Sequence, residues 1–512
     1  MDGQSEPTEQ DWGPFGRPLF DKPSARALSR VGVVDVGSNS VRMVVFDGAA
    51  RSPAYFYNEK IMCGLGAQMA ATGRLNPDGR VRALAALKRF QALGKTMGTG
   101  PLTAVATAAV REATDGPEFE ADVLRETGMQ LCVIDGREEA RLSAQGVLLG
   151  WPGSYGLVCD MGGSSMELAE IRSGDVGTCV SARLGPLRLR ELKGGGAARR
   201  TLIKETIAQM QETLGEQRDR LFLVGGSWRA IAKIDMFRRG YPLQVLHEYR
   251  MNRASVRATV QFIRDNSVDD LRRMANVSSA RMALVPYAAE VLTRLVQTFK
   301  PRDIAISSYG VREGLLYEQM PQELRDRDPL IESCRFAESK DARLPGYGKL
   351  VFDFVRPLFP HAKPEVTRLI KAACLLHDVS WRAHPDYRAE DCFDNATRAN
   401  LGGLKHSERV FVGLALMHRY SNRRDGSRFE MLSPLVDEKQ ERDAEILGRA
   451  MRFAAMFWLR KDASIGKLRW QPKKAVLTLT LTPAAVPLFG EVAQARFRAL
   501  ADALGAEYRV EM

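Results

Sequence analysis

The chain has 512 residues, which is too long for one hydrophobic core and predicts roughly three or four domains. Seven scattered cysteines without a CxxC pair argue against a disulfide framework or a zinc ribbon and favour a reducing, cytoplasmic setting. The formal net charge of +12 favours polyanionic partners, which include nucleic acid, nucleotides and polyphosphate, although a merely basic soluble protein can carry the same charge.

The N-terminal residues 1–30 lack the apolar core of a secretion signal, and their Pro, Gly, Ser and charge content predicts a disordered arm. The apolar, uncharged stretch Ala475 to Gly490 is too short to span a bilayer and is interrupted by two prolines. We therefore expect no membrane insertion.

From Val31 onward, short β-branched runs alternate with Ala- and Leu-rich helical stretches, a pattern typical of α/β proteins. Strands are predicted over 31–35, 41–46, 102–107 and 129–135, and helices over 80–93 and 137–149. A second cycle begins at Tyr155 with strands over 156–160 and 166–171. Two copies of a strand, an aspartate, a glycine turn and a strand predict duplicated α/β halves, 31–150 and 151–318, that face each other across a cleft.

The character of the sequence changes beyond about Glu318, where segments such as 348–359 and 366–381 are helical and rich in Arg, His and aromatic residues. These segments predict an all-helical domain over 319–465. The remainder, 466–512, predicts a small α+β unit with a strand over 475–481, a helix over 488–504 and a short final strand.

The glycine turns are the strongest chemical signal, because backbone N–H groups in such turns form concave sites for phosphate oxygens. One turn alone is more often a plain hairpin, but DVGSNS and DMGGSS occupy matching positions, and a further Gly-Gly-Ser precedes a helix N-terminus. The residues predicted from these turns to bind phosphate are Asp35, Gly37, Ser38, Asn39, Ser40, Gly162, Gly163, Ser164, Ser165, Gly225, Gly226 and Ser227.

Asp160 and Glu167 flank the second turn, so a hairpin can bring both carboxylates to one phosphate cradle. Magnesium prefers one or two carboxylates, with water and substrate oxygens completing its octahedron. We therefore predict a Mg²⁺ site at these two residues. The alternative is a turn-capping aspartate and a surface glutamate, and Asp35 has the same alternatives.

Glu138 and Glu139 begin a predicted helix, where the helix dipole favours acidic residues for reasons unrelated to function. Adjacent helical residues point about 100° apart, so only one of them can face the cleft. Glu139 shares its face with the small residues Ser143 and Gly146, which permit close approach of another surface. Glu139 is therefore the predicted general base that orients or deprotonates water.

Arg42 follows the first glycine turn, and Arg111 follows the strand predicted over 102–107, so both can reach a phosphate with a bidentate guanidinium. Either arginine alone can equally be a solvated surface charge. No Ser-His-Asp or Cys-His pairing is apparent. Direct attack of water on a metal-bound phosphoryl group is the simplest mechanism for such a set of residues.

Residues 31–318 resemble the exopolyphosphatase and guanosine pentaphosphate phosphatase family of the actin-like ATPase superfamily, whose halves are duplicated RNase H-like domains. The motifs that carry the resemblance, in chain order, are DVGSNSVRM, TGRL, ATAAVRE, GREEARL, DMGGSSMEL, VGGSWRAIAKI and SSYGVREGLLYE. Together these motifs are specific for the family, whereas each motif alone is weak evidence.

Carried over by position, the resemblance makes Glu139 the catalytic base, Asp160 and Glu167 magnesium-site residues and Arg111 a phosphate-binding arginine. One departure is Ser164, which stands where the family usually has a third glycine. A side chain there narrows the approach to phosphate, although its hydroxyl can also donate to the phosphate.

The helical domain resembles the HD-like domain of longer family members through His377-Asp378, His406 and His418. A working HD metal site also needs an earlier histidine, which is missing near residues 346–354, so His377-Asp378 is interpreted as a structural remnant. By the same resemblance, this domain would extend a basic path for a long substrate and support a homodimer.

Processive exopolyphosphatase activity on inorganic polyphosphate is the leading hypothesis, with no membrane and no specific nucleic acid as partner. Hydrolysis of guanosine pentaphosphate (pppGpp) at its 5′ end is the alternative within the family. A non-catalytic sensor of polyphosphate or an alarmone is an alternative of another class, and an ATP-dependent kinase of the same superfamily is a third, since fold alone does not decide function.

Overall fold

The computed structural model describes residues 30–47, 51–216, 219–421, 427–458 and 464–511. The predicted N-terminal arm therefore lies outside the described residues, apart from Arg30. The chain forms two compact units, the first comprising residues up to Tyr241 together with Tyr249–Asp326. The second comprises Pro242–Glu248 and the residues from Arg327 onward, so this short segment, which the predicted boundaries include in 151–318, belongs to the second unit.

A five-stranded sheet forms the first half of the first unit, in the order β3-β2-β1-β4-β5. Its strands are β1 (Val31–Val36), β2 (Ser40–Phe46), β3 (Tyr55–Met62), β4 (Thr103–Ala106) and β5 (Leu131–Val133). Its helices are α1 (Met69–Thr72), α2 (Pro77–Thr96), α3 (Ala108–Glu112), α4 (Gly116–Thr127) and α5 (Gly136–Gly150).

A six-stranded sheet forms the second half, in the order β10-β11-β9-β6-β7-β8. Its strands are β6 (Gly156–Met161), β7 (Met166–Arg172), β8 (Asp175–Ala182), β9 (Arg220–Val224), β10 (Arg250–Met251) and β11 (Asp303–Ser307). The helices of this part are α6 (Pro186–Glu191), α7 (Gly195–Leu214), α8 (Gly226–Arg238), α9 (Arg253–Asp265), α10 (Val268–Ala275), α11 (Ser279–Met282), α12 (Val285–Phe299), α13 (Val311–Glu318) and α14 (Gln322–Arg325).

The two sheets repeat one arrangement, which confirms the predicted duplication. In each sheet an antiparallel hairpin, β1–β2 or β6–β7, lies beside a parallel strand, β4 or β9. The aspartates of the two turns occupy matching register positions, with Asp35 opposite Arg42 and Asp160 opposite Glu167. Each glycine turn follows the carboxyl end of the first strand of its hairpin, β1 or β6, so the two turns occupy corresponding places in their sheets.

Helices α5 and α13 lie between the sheets and share one apolar core with both of them. Their backbones approach closely because glycines occupy the crossing: a Cβ on Gly146 would lie 2.2 Å from the carbonyl oxygen of Gly310. A Cβ on Gly314 would lie 1.8 Å from the carbonyl oxygen of Leu142. The helix that follows the first sheet is thereby held against the helix that follows the second.

The second unit is helical up to about residue 454 and ends in a small α+β region. Its helices are α15 (Pro329–Asp341), α16 (Tyr347–Val355), α17 (Pro364–Leu376), α18 (Arg388–Arg398), α19 (His406–Tyr420), α20 (Ser427–Leu432) and α21 (Glu438–Ala454), with 3₁₀ turns at Arg356–Leu358, Pro385–Tyr387 and Ser433–Leu435. The sheet order β12-β13-β14 joins β12 (Gly466–Gln471), β13 (Val476–Leu481) and β14 (Glu507–Glu511), beside α22 (Glu491–Leu504) and 3₁₀ turns at Pro472–Lys474 and Val486–Leu488.

Several predicted elements differ in extent from the structure. The helix predicted over 366–381 ends at Leu376, and Asp378 beyond it forms an ion pair with Arg343. The strand predicted over 129–135 is only Leu131–Val133, and the helix predicted from 488 begins at Glu491, after a 3₁₀ turn. No helix in the described ranges is long and apolar enough to cross a membrane.

Candidate active site

The two glycine turns meet in the first unit. Each closes with the same backbone hydrogen bond, from Gly37 N to Ser40 O at 3.0 Å and from Gly162 N to Ser165 O at 3.1 Å. The hydroxyls of Ser38 and Ser164, one from each turn, lie 3.4 Å apart. Two equivalent cradles of backbone N–H groups therefore face each other across the cleft.

The third turn, Gly225 to Ser227, leads into α8. Gly225 has φ +119°, a conformation that favours glycine, and a Cβ there would lie 2.6 Å from the carbonyl oxygen of Met161. The amino end of α8 adds further N–H groups and the positive end of a helix dipole. With the first two turns it lines a cavity of about 290 Å³.

This cavity brings together most of the predicted site residues. The lining includes Glu139, Asp160 and Arg42. It also includes all twelve residues that were predicted from the three glycine turns: Asp35, Gly37, Ser38, Asn39, Ser40, Gly162, Gly163, Ser164, Ser165, Gly225, Gly226 and Ser227. The lining does not include Arg111 or Glu167. Ser164, at the position of the missing glycine, has no positive φ.

Helix α5 orients its two glutamates differently. Asp135 caps the helix by accepting from Glu138 N, and the Glu138 carboxylate pairs with Arg141 one turn later. Glu139 is only 8% exposed and lines the cavity. The structure thus places Glu139, and not Glu138, beside the glycine turns.

The buried Glu139 and Glu167 form a carboxylate cluster with the half-buried Asp160. Burial, with the charges of Glu167 and Asp160, raises the pKa of Glu139 well above its ordinary value. Burial and the charge of Asp160 raise the pKa of Glu167 to about 8, and burial raises the pKa of Asp160. Ionised carboxylates so close together in a low-dielectric site need a compensating cation.

Arg111 supplies part of that compensation from outside the cavity wall. Its Nη1 donates to the carbonyl oxygen of Ile134 at 2.7 Å and lies 3.7 Å from Glu139 Oε2. The predicted direct reach of Arg111 into the phosphate cavity is therefore not seen. Arg111 instead lies against the carboxylate of Glu139.

The cavity also contains four cationic residues that the sequence analysis did not single out: Lys60, Arg229, Arg281 and Arg312. Burial and the charges of Arg281, Arg42 and Arg229 lower the pKa of Lys60 to about 8. Burial and the charge of Arg312 lower the pKa of Arg42 to about 10. Mutual repulsion of this kind makes the cavity attractive to a polyanion.

Two of these cations had a signal in the sequence. Arg229 follows the third glycine turn by two residues, and Arg312 lies in the motif SSYGVREGLLYE. Arg312 Nη1 donates to Asp35 Oδ2 at 2.9 Å, while the adjacent Glu313 accepts from Tyr55 Oη at 2.7 Å. The start of α13 is thereby tied to the first sheet.

The carboxylate cluster fits a magnesium ion in one respect. Within the described residues, the buried Oε2 atoms of Glu139 and Glu167 accept no hydrogen bond. In the described ranges, no group of three or more His, Cys, Asp or Glu side chains is placed to hold a metal ion. Mg²⁺ does not need one, because it binds through one or two carboxylates and keeps several waters.

The fold defines the broad class of the protein. A crystal structure of an exopolyphosphatase from Cytophaga hutchinsonii is similar, with a TM-score of 0.52 at 20% identity, over 57% of this chain and 98% of that chain. The likeness establishes a two-sheet α/β fold of the actin-like ATPase type, with the cleft between its duplicated halves.

The sequence then identifies the family. The model of the Ppx/GppA phosphatase family matches residues 44–323, and the model described as "Exopolyphosphatase, C-terminal" matches residues 360–511. The chain belongs to the Ppx/GppA phosphatase family.

Two relatives show the range of named activities in this family. "Exopolyphosphatase 1" of Mycobacterium bovis is 26% identical over 316 residues, 59% of this chain and 92% of that protein. "Guanosine-5'-triphosphate,3'-diphosphate pyrophosphatase" of Aeromonas hydrophila is 24% identical over 474 residues, 88% of this chain and 91% of that protein.

Proposed function

We propose that this enzyme hydrolyses the terminal phosphoanhydride bond of inorganic polyphosphate and releases orthophosphate. The observation that carries the proposal is the cavity lining, in which cationic side chains converge on two glycine turns beside a buried glutamate. The cations are Arg42, Lys60, Arg229, Arg281 and Arg312. A substrate with a charge on every phosphate relieves their mutual repulsion.

The chemistry of the lining also favours polyphosphate over a nucleotide. None of the described residues that line the cavity is aromatic. A guanine base is commonly held by stacking on aromatic side chains, whereas a phosphate chain needs only N–H donors and cations.

Glu139 is the group that prepares the attack in this proposal. Its carboxylate orients a water molecule and accepts one proton from it, while the water oxygen bonds to the terminal phosphorus. The bond from that phosphorus to the bridging oxygen breaks, and the electron pair remains on the shortened chain. The N–H groups of the glycine turns and the surrounding cations stabilise the negative charge that develops.

Asp160 and Glu167 would hold Mg²⁺ in this mechanism. When bound, Mg²⁺ supplies positive charge that stabilises the phosphoryl oxygens. Asp160 lines the cavity directly, whereas Glu167 lies behind it and accepts from Ser181 Oγ at 3.0 Å. Asp160 is therefore proposed as the direct contact and Glu167 as the deeper carboxylate of the site.

Hydrolysis of pppGpp is the second candidate, because the similarity to the Aeromonas relative covers 88% of this chain. Phosphate release from long-chain polyphosphate and from pppGpp, each with magnesium, orders the two substrates. We expect the higher kcat/KM with polyphosphate, and the reverse order would favour the second candidate. Binding of both anions without phosphate release would favour a non-catalytic sensor. The homodimer, the cytoplasmic location and the HD-like character of the helical domain remain predictions.

A further inference from the structure

Ser143 has no role in the proposed reaction, yet it lies fully buried beside the cavity. It is on α5, one helical turn after Glu139, and its hydroxyl donates to Asp160 Oδ2. Ser143 belongs to the helix that follows the first sheet, whereas Asp160 lies at the end of β6 in the second sheet. The hydrogen bond therefore joins the two halves at the carboxylate cluster.

The Asp160 carboxylate has little other support. Among the described residues, Ser143 is the only side chain that donates a hydrogen bond to it. Glycines face it on two sides: a Cβ at Gly225 would lie 3.4 Å from Oδ1, and a Cβ at Gly310 would lie 3.8 Å from Oδ2. Since neither glycine has a side chain to restrain the carboxylate, its orientation depends on Ser143.

Ser143 is itself held rigidly. Gly146 and Gly314 allow α5 and α13 to approach at backbone distance on either side of it, and both helices lie in the shared core. The hydroxyl is fully buried in this packed region and is paired with Asp160, so little side-chain freedom remains to be lost when a cation binds.

We propose that Ser143 is a positioning residue that fixes the Asp160 carboxylate for a divalent cation. The inference rests on the proposed cation site at Asp160. Ordering one carboxylate oxygen by a hydrogen bond presents the other in a single orientation, which is how outer partners tune metal ligands. Because Glu139 and Ser143 are on the same helix, α5 sets the positions of the base and of the cation-binding carboxylate together.

Direct binding of Mn²⁺, followed by electron paramagnetic resonance as a stand-in for Mg²⁺, tests the proposal without relying on turnover. We expect Ser143→Ala to weaken Mn²⁺ affinity about tenfold, the lower end of the range for an outer partner of a metal ligand. The Mg²⁺ concentration for half-maximal activity should rise by a similar factor, and kcat at saturating Mg²⁺ should change much less.

Ser154→Ala is the matched control, because Ser154 Oγ donates to the carbonyl oxygen of Trp151 at 2.7 Å just beyond α5. This variant also loses one serine hydroxyl, and it should bind Mn²⁺ as the wild type does. Ser143→Cys, which keeps a weak donor of similar size, is a second variant should Ser143→Ala fail to fold, and it should show a smaller loss.

The outcomes separate this inference from the proposed function. Wild-type Mn²⁺ affinity in a folded Ser143→Ala or Ser143→Cys variant would overturn the role of Ser143 and leave the proposed function standing. Loss of kcat with unchanged Mn²⁺ affinity would also overturn it. A wild-type protein that releases phosphate from polyphosphate but binds no Mn²⁺ or Mg²⁺ would overturn both the cation site and this inference.

Discussion

The two glycine turns have the same backbone but different partners for their aspartates. Asp35, in the first turn, accepts a charge-assisted hydrogen bond from Arg312 at 2.9 Å. Asp160, in the second turn, accepts from the neutral hydroxyl of Ser143 and lies beside two further buried carboxylates. The two similar glycine turns therefore place their aspartates in different electrostatic environments, one beside a cation and one beside other carboxylates.

The difference assigns separate tasks to the two halves. Asp35 is neutralised by a cation of the protein and ties the start of α13 to the first sheet. Asp160 forms no ion pair among the described residues, although the charges of Arg229 and Arg312 act on it, and its carboxylate is the one proposed to bind an external cation. A duplicated motif can thus keep its shape while the proposed metal-binding role belongs to only one copy.

Removing the proposed base, Glu139, should have the largest effect on the reaction. Glu139→Gln should lower kcat about a thousandfold, within the range for loss of a general base, and should leave polyphosphate affinity within a few-fold of wild type. Phosphate release and equilibrium binding measure the two effects. Glu138→Gln, on the next position of α5, is the matched control, and a similar loss of kcat there would contradict the assignment.

Replacing each aspartate by asparagine tests whether Asp35 and Asp160 differ in cation binding. Asp160→Asn should lower activity about a hundredfold and abolish tight Mn²⁺ binding, because it removes the charge of the proposed cation ligand. Asp35→Asn should leave Mn²⁺ affinity unchanged. It should instead lower the free energy of unfolding by about 1–3 kcal/mol, less than for a fully buried pair because the side chain of Asp35 is 25% exposed.

Denaturant unfolding and Mn²⁺ titration of both variants check this pair of results. Equal loss of Mn²⁺ affinity in Asp35→Asn and Asp160→Asn would show that the two turns are equivalent. It would contradict the assignment of the cation site to Asp160 alone of the two aspartates.

The pH dependence of substrate affinity tests the cationic side of the cavity. Lys60 faces Arg281, Arg42, Arg229 and, more weakly, Asp35, and its lowered pKa of about 8 means that it is charged below and neutral above that pH. The KM for polyphosphate should therefore rise up to about tenfold as pH increases through 8, the loss of one charge-assisted hydrogen bond. Lys60→Arg should remove this rise, because arginine stays charged above pH 8. If KM still rose with pH in that variant as it does in the wild type, the role of Lys60 would be contradicted.

The smallest expected effect concerns the contact between the turns. Ser164→Gly restores the third glycine of the second turn and removes the 3.4 Å contact with Ser38. Because Ser164 has no strained backbone, we expect kcat/KM to change less than about threefold and stability to fall by about 0.5–1 kcal/mol through greater chain entropy. A tenfold change in kcat/KM would show that the serine hydroxyl itself handles the substrate.

The duplicated fold and the glycine turns could be predicted because their signals are local. A buried strand, an aspartate and a glycine turn follow one another within a few residues, and helical periodicity alone distinguished Glu139 from Glu138. Strand β3 was not predicted, since its residues alternate between half-buried and exposed positions and include charged side chains.

Most cations of the cavity could not be predicted from the sequence. Lys60, Arg281 and Arg312 lie on β3, α11 and α13, which are far apart in the chain and converge only in the folded protein. Arg111 was predicted to bind phosphate, but it donates to the backbone of Ile134, lies beside Glu139 and does not line the cavity. Orientation of this kind depends on packing, which residue spacing does not encode.

A crystal structure of the Glu139→Gln variant with a short inorganic polyphosphate tests most directly whether the two glycine turns bind the terminal phosphate beside residue 139. The terminal phosphate should lie between the turns of Ser38 and Ser164 and contact the side chain at position 139 through a water molecule. A terminal phosphate bound elsewhere on the protein, with these turns contacting no part of the ligand, would contradict this expectation.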